Sequence, residues 1–265
     1  MLIVLGGTVV VLMSMIALTA GRVASHNPLV LSVADRLEAP GGAHLMGTDE
    51  FGRDIYSRVV FSARVSLGVG FSVVVVSTAF GILFGLLAGY SRKLDGPLMR
   101  FMDGLMAFPD ILLAIALMAS LGASIFNVIA ALGVVYTPRV ARVVRSAVLV
   151  IRETVYVQAA RSLGAPSGRI LFRHILPNAL SPVIVQGTFT FAYAVLTEAA
   201  LSFLGVGVPP YIPSWGNILS AGRIYMQQAP WIVLFPGASI IVTVLGLNLL
   251  GDGLRDMLDP RLRNS

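Results

Sequence analysis

The sequence predicts an all-α integral membrane protein with six transmembrane helices, and three observations support this fold class. First, 56% of the 265 residues are hydrophobic and only 12% are charged, whereas soluble domains carry about 25% charged residues. Second, several apolar stretches approach or exceed the roughly 18 to 20 residues that cross a hydrocarbon core. Third, these stretches are continuously apolar, whereas the strands of a transmembrane barrel alternate over about ten residues. The bilayer is therefore the first expected partner.

Composition also excludes several kinds of site. The sequence has no cysteine, so it holds no disulfide, no thiolate metal site and no cysteine nucleophile. Its pI is near 10.2, which would suit a nucleic-acid-binding protein. In a membrane protein, however, an excess of arginine is explained more simply by topology. We therefore expect no nucleic-acid partner.

Residues 2–20 form the first predicted span. The run ends in small residues that resemble a signal-peptide cleavage site, but no Lys or Arg precedes it, which favours a retained helix. The segment that follows is mixed in composition and contains glycine and proline turns. The helix and this segment together form the first predicted unit, residues 1–62.

The stretch GTDEFGRD at residues 47–54 predicts the start of a short helix on the membrane surface. Thr48 is the expected N-cap of this helix. Phe51, Ile55 and Val59 recur every four residues and would form its apolar face. A catalytic cluster of acids is the alternative, although nothing nearby completes such a site.

The second predicted span, residues 65–90, contains Gly81, Gly85 and Gly89 at intervals of four. Residues with this spacing share one face of a helix. Small residues on one face let another helix backbone approach closely. The pattern therefore predicts tight helix packing rather than a substrate site.

The third predicted span, residues 101–121, contains two acids, Asp103 and Asp110. Acids within a span are costly and often functional. Both are therefore candidate translocation-pathway residues, as is Glu198 in the fifth span. The alternative is that the FPD sequence ending at Asp110 only marks a kink, where the carboxylate satisfies freed backbone donors.

Three further spans complete the predicted set of six. They cover residues 128–149, 180–203 and 231–250. Arg139, Arg142 and Arg145 lie on one side of the fourth span and cannot face lipid cheaply. We therefore expect that side to face protein, lipid headgroups or water. Trp215 and Trp231 suit a belt at the membrane interface.

Residues 139–174 are the most basic part of the chain, with seven arginines and one acid. Gly164 predicts the end of a helix, and Pro166 predicts the start of a second helix that Pro177 ends. Small alanines near the bend would make a compact knob that enters a groove on a partner. The alternative is a basic loop that binds anionic lipid headgroups.

The distribution of Lys and Arg predicts the orientation. Connectors 91–100 and 139–176, with the C-terminal tail, carry more than twice as many of these residues as the other side. The positive-inside tendency therefore places both termini and the basic stretch in the cytoplasm.

No enzyme signature is present. The patterns GxxxxGK[ST], HExxH and GxSxG are all absent from the sequence. His26, His44 and His174 are scattered in sequence and are interpreted as structural residues rather than ligands. We therefore expect no catalytic residues, no cofactor and no metal.

Four motifs carry a resemblance to a known family. QAARSLGA at 158–165, followed by ILPN at 175–178, resembles the EAA loop of ABC importer permeases. GTDEFGRD at 47–54, LSFLGVGVPP…PSWGN at 201–217 and NLLGDGLRDMLDPRLR at 248–263 resemble the C-type subunit of the dipeptide, oligopeptide and nickel branch. The resemblance covers the chain from about residue 45 to its end.

This resemblance implies a type I ABC importer permease fold in the bacterial cytoplasmic (inner) membrane. Residues 63–252 would be the permease core and 253–265 a cytoplasmic tail. The implied partners are a homologous B-type permease, two P-loop ATPases that bind the ATP, and an extracytoplasmic substrate-binding protein. Closure of the ATPases would move the docked loop, and the spans would rock between inward-facing and outward-facing states.

The resemblance also implies which residues dock the ATPase. They are Tyr156, Gln158, Ala159, Ala160, Arg161, Gly164, Ala165, Arg169 and Pro177. Gln158 departs from the family pattern, which has Glu at this position. A salt bridge that the family makes there would therefore be absent in this chain.

The implied cargo is a dipeptide or oligopeptide. Nickel, glutathione or an opine-like solute is the alternative within the family. From a different class, an ion-coupled secondary transporter would use Asp103, Asp110 and Glu198 as a relay. No inverted repeat between the two halves of the sequence supports that alternative.

Overall fold

The computed structural model of the chain describes residues 1–258, and these residues are mostly helical, with irregular segments at 24–54 and 204–214. The only strand-like contact among them is an isolated bridge between Thr48 and Asp54. The helices are α1 (Leu2–Leu18), α2 (Ala20–Val23), α3 (Ile55–Tyr90), α4 (Arg92–Met106), α5 (Asp110–Leu121), α6 (Ile125–Ile151), α7 (Val155–Ser162), α8 (Ser167–Arg169), α9 (Leu176–Phe203), α10 (Trp215–Gly222) and α11 (Trp231–Leu258). The predicted all-α class is confirmed for this part of the chain.

Helices α3 and α6 pack against each other through the predicted glycine face. The facing pairs are Gly81–Val140, Gly85–Val144 and Gly89–Val148. A Cβ atom added to Gly85 would lie 2.5 Å from the Val144 Cβ and 2.7 Å from the Ala141 carbonyl oxygen. Real Cβ atoms do not approach other atoms this closely, so only glycine permits this helix separation. The close approach predicted from the spacing is confirmed.

Helix α1 packs on α11 in a similar way. A Cβ atom at Gly6 would lie 2.4 Å from the Leu250 nitrogen, and one at Gly246 would lie 2.5 Å from the Val9 Cγ1. Close backbone contact of this kind is typical of helices that associate within a membrane. Helix α1 is thus an integral part of the bundle, as expected for a retained helix.

The predicted third span is not one straight helix. Helices α4 and α5 meet at an angle of 90°. The break falls just before Pro109, whose ring excludes the helical conformation from the residue before it and removes a backbone donor. The predicted kink is therefore present, but Asp110 does not satisfy freed backbone donors, because its carboxylate pairs with Arg139 instead.

Three described helices are long and apolar enough to cross a membrane, namely Ile55–Tyr90, Ser167–Phe203 and Trp231–Leu258. The bent pair of α4 and α5 is a fourth candidate span. Helix α1 has 17 residues, and α6 has 27 residues but carries three arginines along one side. The count of six remains a prediction.

The helix predicted to begin after Thr48 begins later. Asp54 is the actual N-cap of α3, because its side chain accepts a hydrogen bond from the backbone nitrogen of Ser57. Thr48 lies in the preceding turn, where its hydroxyl accepts from the Glu38 nitrogen at 2.8 Å. Phe51 is exposed in this turn. The sequence 47–54 is therefore a folded turn that leads into a spanning helix, not a separate surface helix.

The helix after the basic bend also differs from the prediction. Residues Ser167–Phe203 form one continuous helix of 37 residues, and Pro177 does not end it. A π-helical turn over Ile170–Ile175 lies just before the proline. The missing N–H of a proline within a helix leaves one carbonyl unpaired, and the wider turn adjusts the local hydrogen bonding.

Neither tryptophan behaves as a simple interfacial residue. Trp215 is fully buried, and its indole nitrogen donates to the Val59 carbonyl at 3.1 Å. Trp231 donates to the Thr48 carbonyl at 3.0 Å. Because each indole N–H has an acceptor within the protein, each ring can pack inside it. The predicted belt is wrong for Trp215.

The predicted boundaries of the permease core fall within helices. Helix α3 runs across residues 62 and 63, and α11 runs across residues 252 and 253. The last part of the predicted tail, residues 259–265, lies outside the described residues, as does the end of the motif at 248–263.

Candidate docking loop and its charged surroundings

The bend between α7 and α8 is fixed by the backbone. Gly164 has a φ of 79°, a conformation that favours glycine. The Ala165 nitrogen donates to the Ala160 carbonyl at 3.1 Å, and the Gly164 nitrogen donates to the Arg161 carbonyl at 3.0 Å. The bond across five residues and the left-handed glycine form a Schellman-type helix end. We call residues 154–178, which contain this bend, the docking loop.

One side of the docking loop is anchored to the bundle by apolar side chains. Val157, Ile170 and Ile175 are buried in a cluster that also contains Val144 and Val148 of α6. These two valines belong to the face that packs on the α3 glycines. The loop is therefore seated directly on the closely packed pair of α3 and α6.

The opposite side of the docking loop is open and apolar. Leu163 is 88% exposed and Phe172 is 67% exposed. Val155 and Tyr156 are also exposed. Isolated exposed apolar residues are normal, but several together on one structured bend indicate a contact surface.

The arginines of the docking loop are exposed and have no acidic partner. Among residues 1–258, no Asp or Glu forms an ion pair with Arg161, Arg169 or Arg173. The Arg161 guanidinium lies 6.0 Å from the centre of the Tyr90 ring, which is at the outer limit of a cation–π contact. The loop thus presents three positive charges that the described chain does not neutralise.

The residues predicted to dock a partner divide by exposure. The exposed members are Tyr156, Gln158, Ala159, Arg161, Gly164, Arg169 and Pro177, and the half-buried members are Ala160 and Ala165. Ala159 is therefore the alanine that a partner would touch. Gln158 uses its amide to donate to the Glu153 carbonyl at 3.2 Å, a bond that the carboxylate of a glutamate cannot form.

The arginines of α6 form a second, different group, which we call the arginine ladder. Each contacts one acid from α4 or α5: Arg139 pairs with Asp110, Arg142 with Asp103, and Arg145 with Asp95. Arg145 donates twice to Asp95, at 2.5 and 2.7 Å, which is the strong bidentate geometry. Of the three surroundings expected for this side of α6, namely protein, lipid headgroups or water, the structure shows contact with acids of the same chain.

Asp95 is a member of the arginine ladder that the sequence reasoning missed. It lies in the connector after α3, where an acid near the start of a helix has an ordinary explanation. The number of charges could have indicated Asp95, because three arginines on one helix face are best balanced by three acids elsewhere in the chain. Asp95, Asp103 and Asp110 all lie in the broken segment.

Glu198 lies in a different environment from the two candidate aspartates. It is fully buried, and its two carboxylate oxygens accept hydrogen bonds from Ser66 and Ser202, each at 2.8 Å. The Ser66 hydroxyl also accepts a hydrogen bond from the backbone nitrogen of Trp215, at 3.4 Å. Glu198 therefore joins α3, α9 and the start of α10. Asp103, Asp110 and Glu198 each contact a different partner, and no hydrogen bond within the described residues joins one of these acids to another.

The two histidines of the 21–54 segment come together although they are distant in sequence. The centres of the His26 and His44 rings are 4.9 Å apart, and both rings lie beside Asp54. Burial raises the pKa of Asp54, but hydrogen bonds from the Ser57 side chain and backbone and from His44, with the charge of His26, together hold this pKa below its ordinary value. Asp54 is therefore ionised at neutral pH.

Comparison with known proteins gives a consistent family. A family model described as the binding-protein-dependent transport system inner membrane component matches residues 81–264. The chain is 51% identical over 259 residues to a putative peptide transport system permease protein of Brucella suis biovar 1, with 98% of this chain and 88% of that protein covered. It is 48% identical to the dipeptide transport system permease protein DppC of Alkalihalophilus pseudofirmus, with 93% of this chain and 80% of that protein covered.

Two further matches bear on cargo and fold. The chain is 46% identical to the glutathione transport system permease protein GsiD of Pectobacterium atrosepticum, covering 87% of this chain and 77% of that one. Among solved structures, the inward-facing MetNI methionine ABC transporter matches with a TM-score of 0.59 and 22% identity, covering 76% of this chain and 97% of that chain. This last match shows a shared fold, as the sequence predicted.

Proposed function

Because the chain belongs to the family of binding-protein-dependent transport system inner membrane components, we propose that it is the C-type permease subunit of an ATP-driven peptide importer. The observation that carries this proposal is the docking loop, which is anchored on one side and open, apolar and basic on the other. No P-loop is present in the sequence. The energy of ATP therefore enters through a separate subunit that contacts this loop.

The cargo is a short peptide. This assignment rests on relatives whose names specify peptides or dipeptides and whose identity to this chain is 45% or more. A glutathione permease is nearly as similar, so glutathione is the second candidate, ahead of nickel and opine-like solutes. Calorimetry of the cognate binding protein with a dipeptide, glutathione and Ni²⁺ separates these candidates, and tight binding of Ni²⁺ alone would refute the peptide assignment.

Two ATPase subunits dock in the complete importer, one on this loop and one on the matching loop of a B-type permease. Exposed Ala159 leaves room for a helix to lie close in a groove. The exposed arginines beside it accelerate and orient the association. Leu163 and Phe172 supply the apolar contact that is buried on docking.

Movement of the docked loop passes to α6, since Val157, Ile170 and Ile175 pack against it. Arg152 adds a polar link, because it donates to the Gly89 carbonyl of α3 at 2.8 Å. Packed cores shift as units rather than deform continuously. We therefore expect α3, α6 and the docking loop to rock together as the importer changes between its two states.

The arginine ladder marks the face of α6 that turns away from lipid. The side chains of Arg139 and Asp110 are each about one-third exposed, and those of Arg142 and Asp103 about one-half. Charges that remain this exposed within a bundle cannot face hydrocarbon cheaply. This face therefore borders the B-type permease or the water-filled pathway, and Asp103 and Asp110 are its acidic members. Glu198, being fully buried, belongs to the scaffold instead.

The topology that fits this arrangement has both termini in the cytoplasm. The docking loop must reach the ATPases there, and the excess of arginine on this side agrees with the positive-inside tendency. The 21–54 segment then lies outside the cytoplasm, where the binding protein delivers its cargo.

The coupling role is tested with the whole importer in proteoliposomes, with its binding protein and a radiolabelled dipeptide. We expect Ala159→Arg to reduce peptide-stimulated ATP hydrolysis and uptake at least tenfold, because the new side chain holds the ATPase away from the loop. Ala39→Arg is the matched control, since it makes the same change at an exposed alanine in the 21–54 segment.

Full coupling by the Ala159→Arg importer would refute the docking role. Ala159 is preferable to Gly164 as the altered residue, because any side chain at Gly164 strains the bend. It is preferable to Ala160, which is half-buried. Size-exclusion chromatography of the complex distinguishes loss of docking from loss of folding.

A further inference from the structure

His26, His44 and Asp54 converge in the folded 21–54 segment, with one ligand atom from each lying within 4.8 Å of the others. The His44 Nδ1 is 2.9 Å from the Asp54 Oδ1, and the His26 Nδ1 is 3.8 Å from the same oxygen. Two ligand atoms bound to one tetrahedral zinc ion lie about 3.3 Å apart, given metal–ligand bonds of about 2.0 to 2.1 Å. The observed separations bracket that value, so small side-chain movements would complete the geometry.

The two carboxylate oxygens of Asp54 make different contacts. Its Oδ2 accepts from the Ser57 nitrogen at 2.8 Å and so caps α3. Its Oδ1 faces the two histidines. The cap fixes the carboxylate and leaves the second oxygen directed at the imidazoles, in the manner of the outer contacts that orient metal ligands in proteins.

The three residues differ in exposure in a way that suits a bound ion with an open coordination position. Asp54 and His44 are buried, whereas the His26 side chain is 47% exposed. His26 also lines a cavity of about 650 Å³, together with Arg64. An ion has an entry route through this cavity, and a water molecule has room to complete its coordination.

The donor set selects the kind of ion. Two imidazoles and one carboxylate suit zinc and other first-row transition metals, whereas calcium and magnesium prefer sites built from oxygen ligands. The positive charge of Arg64 beside the cavity also disfavours a cation that is held by charge alone. The negative charges of Asp35 and Glu38 offset the charge of Arg64, since these two residues form a second group of potential ligands with His44.

We propose that His26, His44 and Asp54 form a binding site for a divalent transition metal ion, with zinc as the best fit. The bound ion would join three separate parts of the chain: the segment after α2, the turn that contains His44, and the first residues of α3. It would therefore hold the 21–54 segment against the bundle. The proposal does not depend on which solute the importer carries.

The site is tested by zinc binding to the purified full chain after removal of metal with EDTA. Isothermal titration is expected to give one zinc ion per chain. His26→Ala should weaken this binding at least tenfold, in line with the loss of one ligand. It is the primary variant, because this exposed side chain makes one hydrogen bond within residues 1–258, at 3.0 Å to Ser25. His44→Ala should abolish the binding.

Two further measurements distinguish the site from adventitious binding. His174→Ala removes the third histidine, which lies in the docking loop, and should leave zinc affinity unchanged. Cobalt(II) bound to the unaltered chain should give visible absorption bands that zinc displaces. Absence of stoichiometric zinc binding, or unchanged affinity in His26→Ala and His44→Ala, would overturn the proposal. ATP, the binding protein and the ATPases are omitted, so failure here leaves the proposed transport function untouched.

Discussion

Arginines from one continuous basic stretch fall into two groups that differ in whether they form ion pairs. Arg139, Arg142 and Arg145 of α6 each pair with an acid. Arg161 and Arg173, only a few turns later, have no acidic partner among residues 1–258. The first group is paired with acids, whereas the second group has no such pair among the residues that the structure describes. A sum of charges over the stretch does not distinguish these two groups.

The break between α4 and α5 accounts for much of the difference. It turns the chain by 90° and lets acids of both short helices follow the arginine side of α6. Asp95 meets Arg145 near one end, and Asp110 meets Arg139 deeper in the bundle. None of the three acids of the arginine ladder pairs with an arginine of the docking loop.

The largest expected effect comes from disturbing the helix pair that positions both groups. Gly85→Leu should destabilise the chain by about 3 kcal/mol, because even a Cβ atom there would lie 2.7 Å from the Ala141 carbonyl oxygen. The shift of thermal inactivation in detergent measures this loss. Gly104→Ala on α4 is the control. It has open space around it and should be neutral or stabilising by up to about 1 kcal/mol. Equal stability of both variants would contradict the close packing.

Disrupting one ion pair of the arginine ladder should have an intermediate effect on stability. Asp95→Asn removes the negative charge and one of the two acceptor oxygens of a bidentate pair, and should cost about 1 kcal/mol, a value reduced by the partial exposure of both side chains. Unfolding in detergent with added urea measures it. The exchange of both residues, Asp95→Arg with Arg145→Asp, should recover part of the loss that either single reversal causes. No recovery would mean that the two side chains do not act as a pair.

The docking-loop arginines should behave in the opposite way. Arg173→Ala should change stability by less than about 0.5 kcal/mol, because this exposed side chain forms no ion pair with the described part of the chain. It should weaken association with the ATPase several-fold at low salt, and less at high salt. Surface plasmon resonance at two salt concentrations measures this. A stability loss equal to that of Asp95→Asn would remove the distinction between the two groups.

The sequence was most informative where the signal was local and periodic. Glycines at intervals of four correctly predicted a face of α3 that another helix approaches closely, although not that this helix is α6. The ladder was not predictable in detail, because its pairs are separated by 29 to 50 residues and depend on the angle of the break. The start of α3 was misplaced because Thr48 and Asp54 are both good cap residues, and only tertiary contacts decide between them. No feature of the sequence indicated that His26 and His44 lie close together.

The smallest effect is expected at Gln158, where the loop departs from its family. Gln158→Glu removes the hydrogen bond to the Glu153 carbonyl and places a second carboxylate near that turn. Because both groups are exposed, the stability change should stay below about 0.5 kcal/mol. Peptide-stimulated ATP hydrolysis should fall by no more than a few-fold, since the amide fixes the turn between α6 and α7 rather than pairing with a partner charge. A rise in coupled activity above that of the unaltered importer would show that the ATPase uses a carboxylate at this position and that Gln158 is a weakened contact.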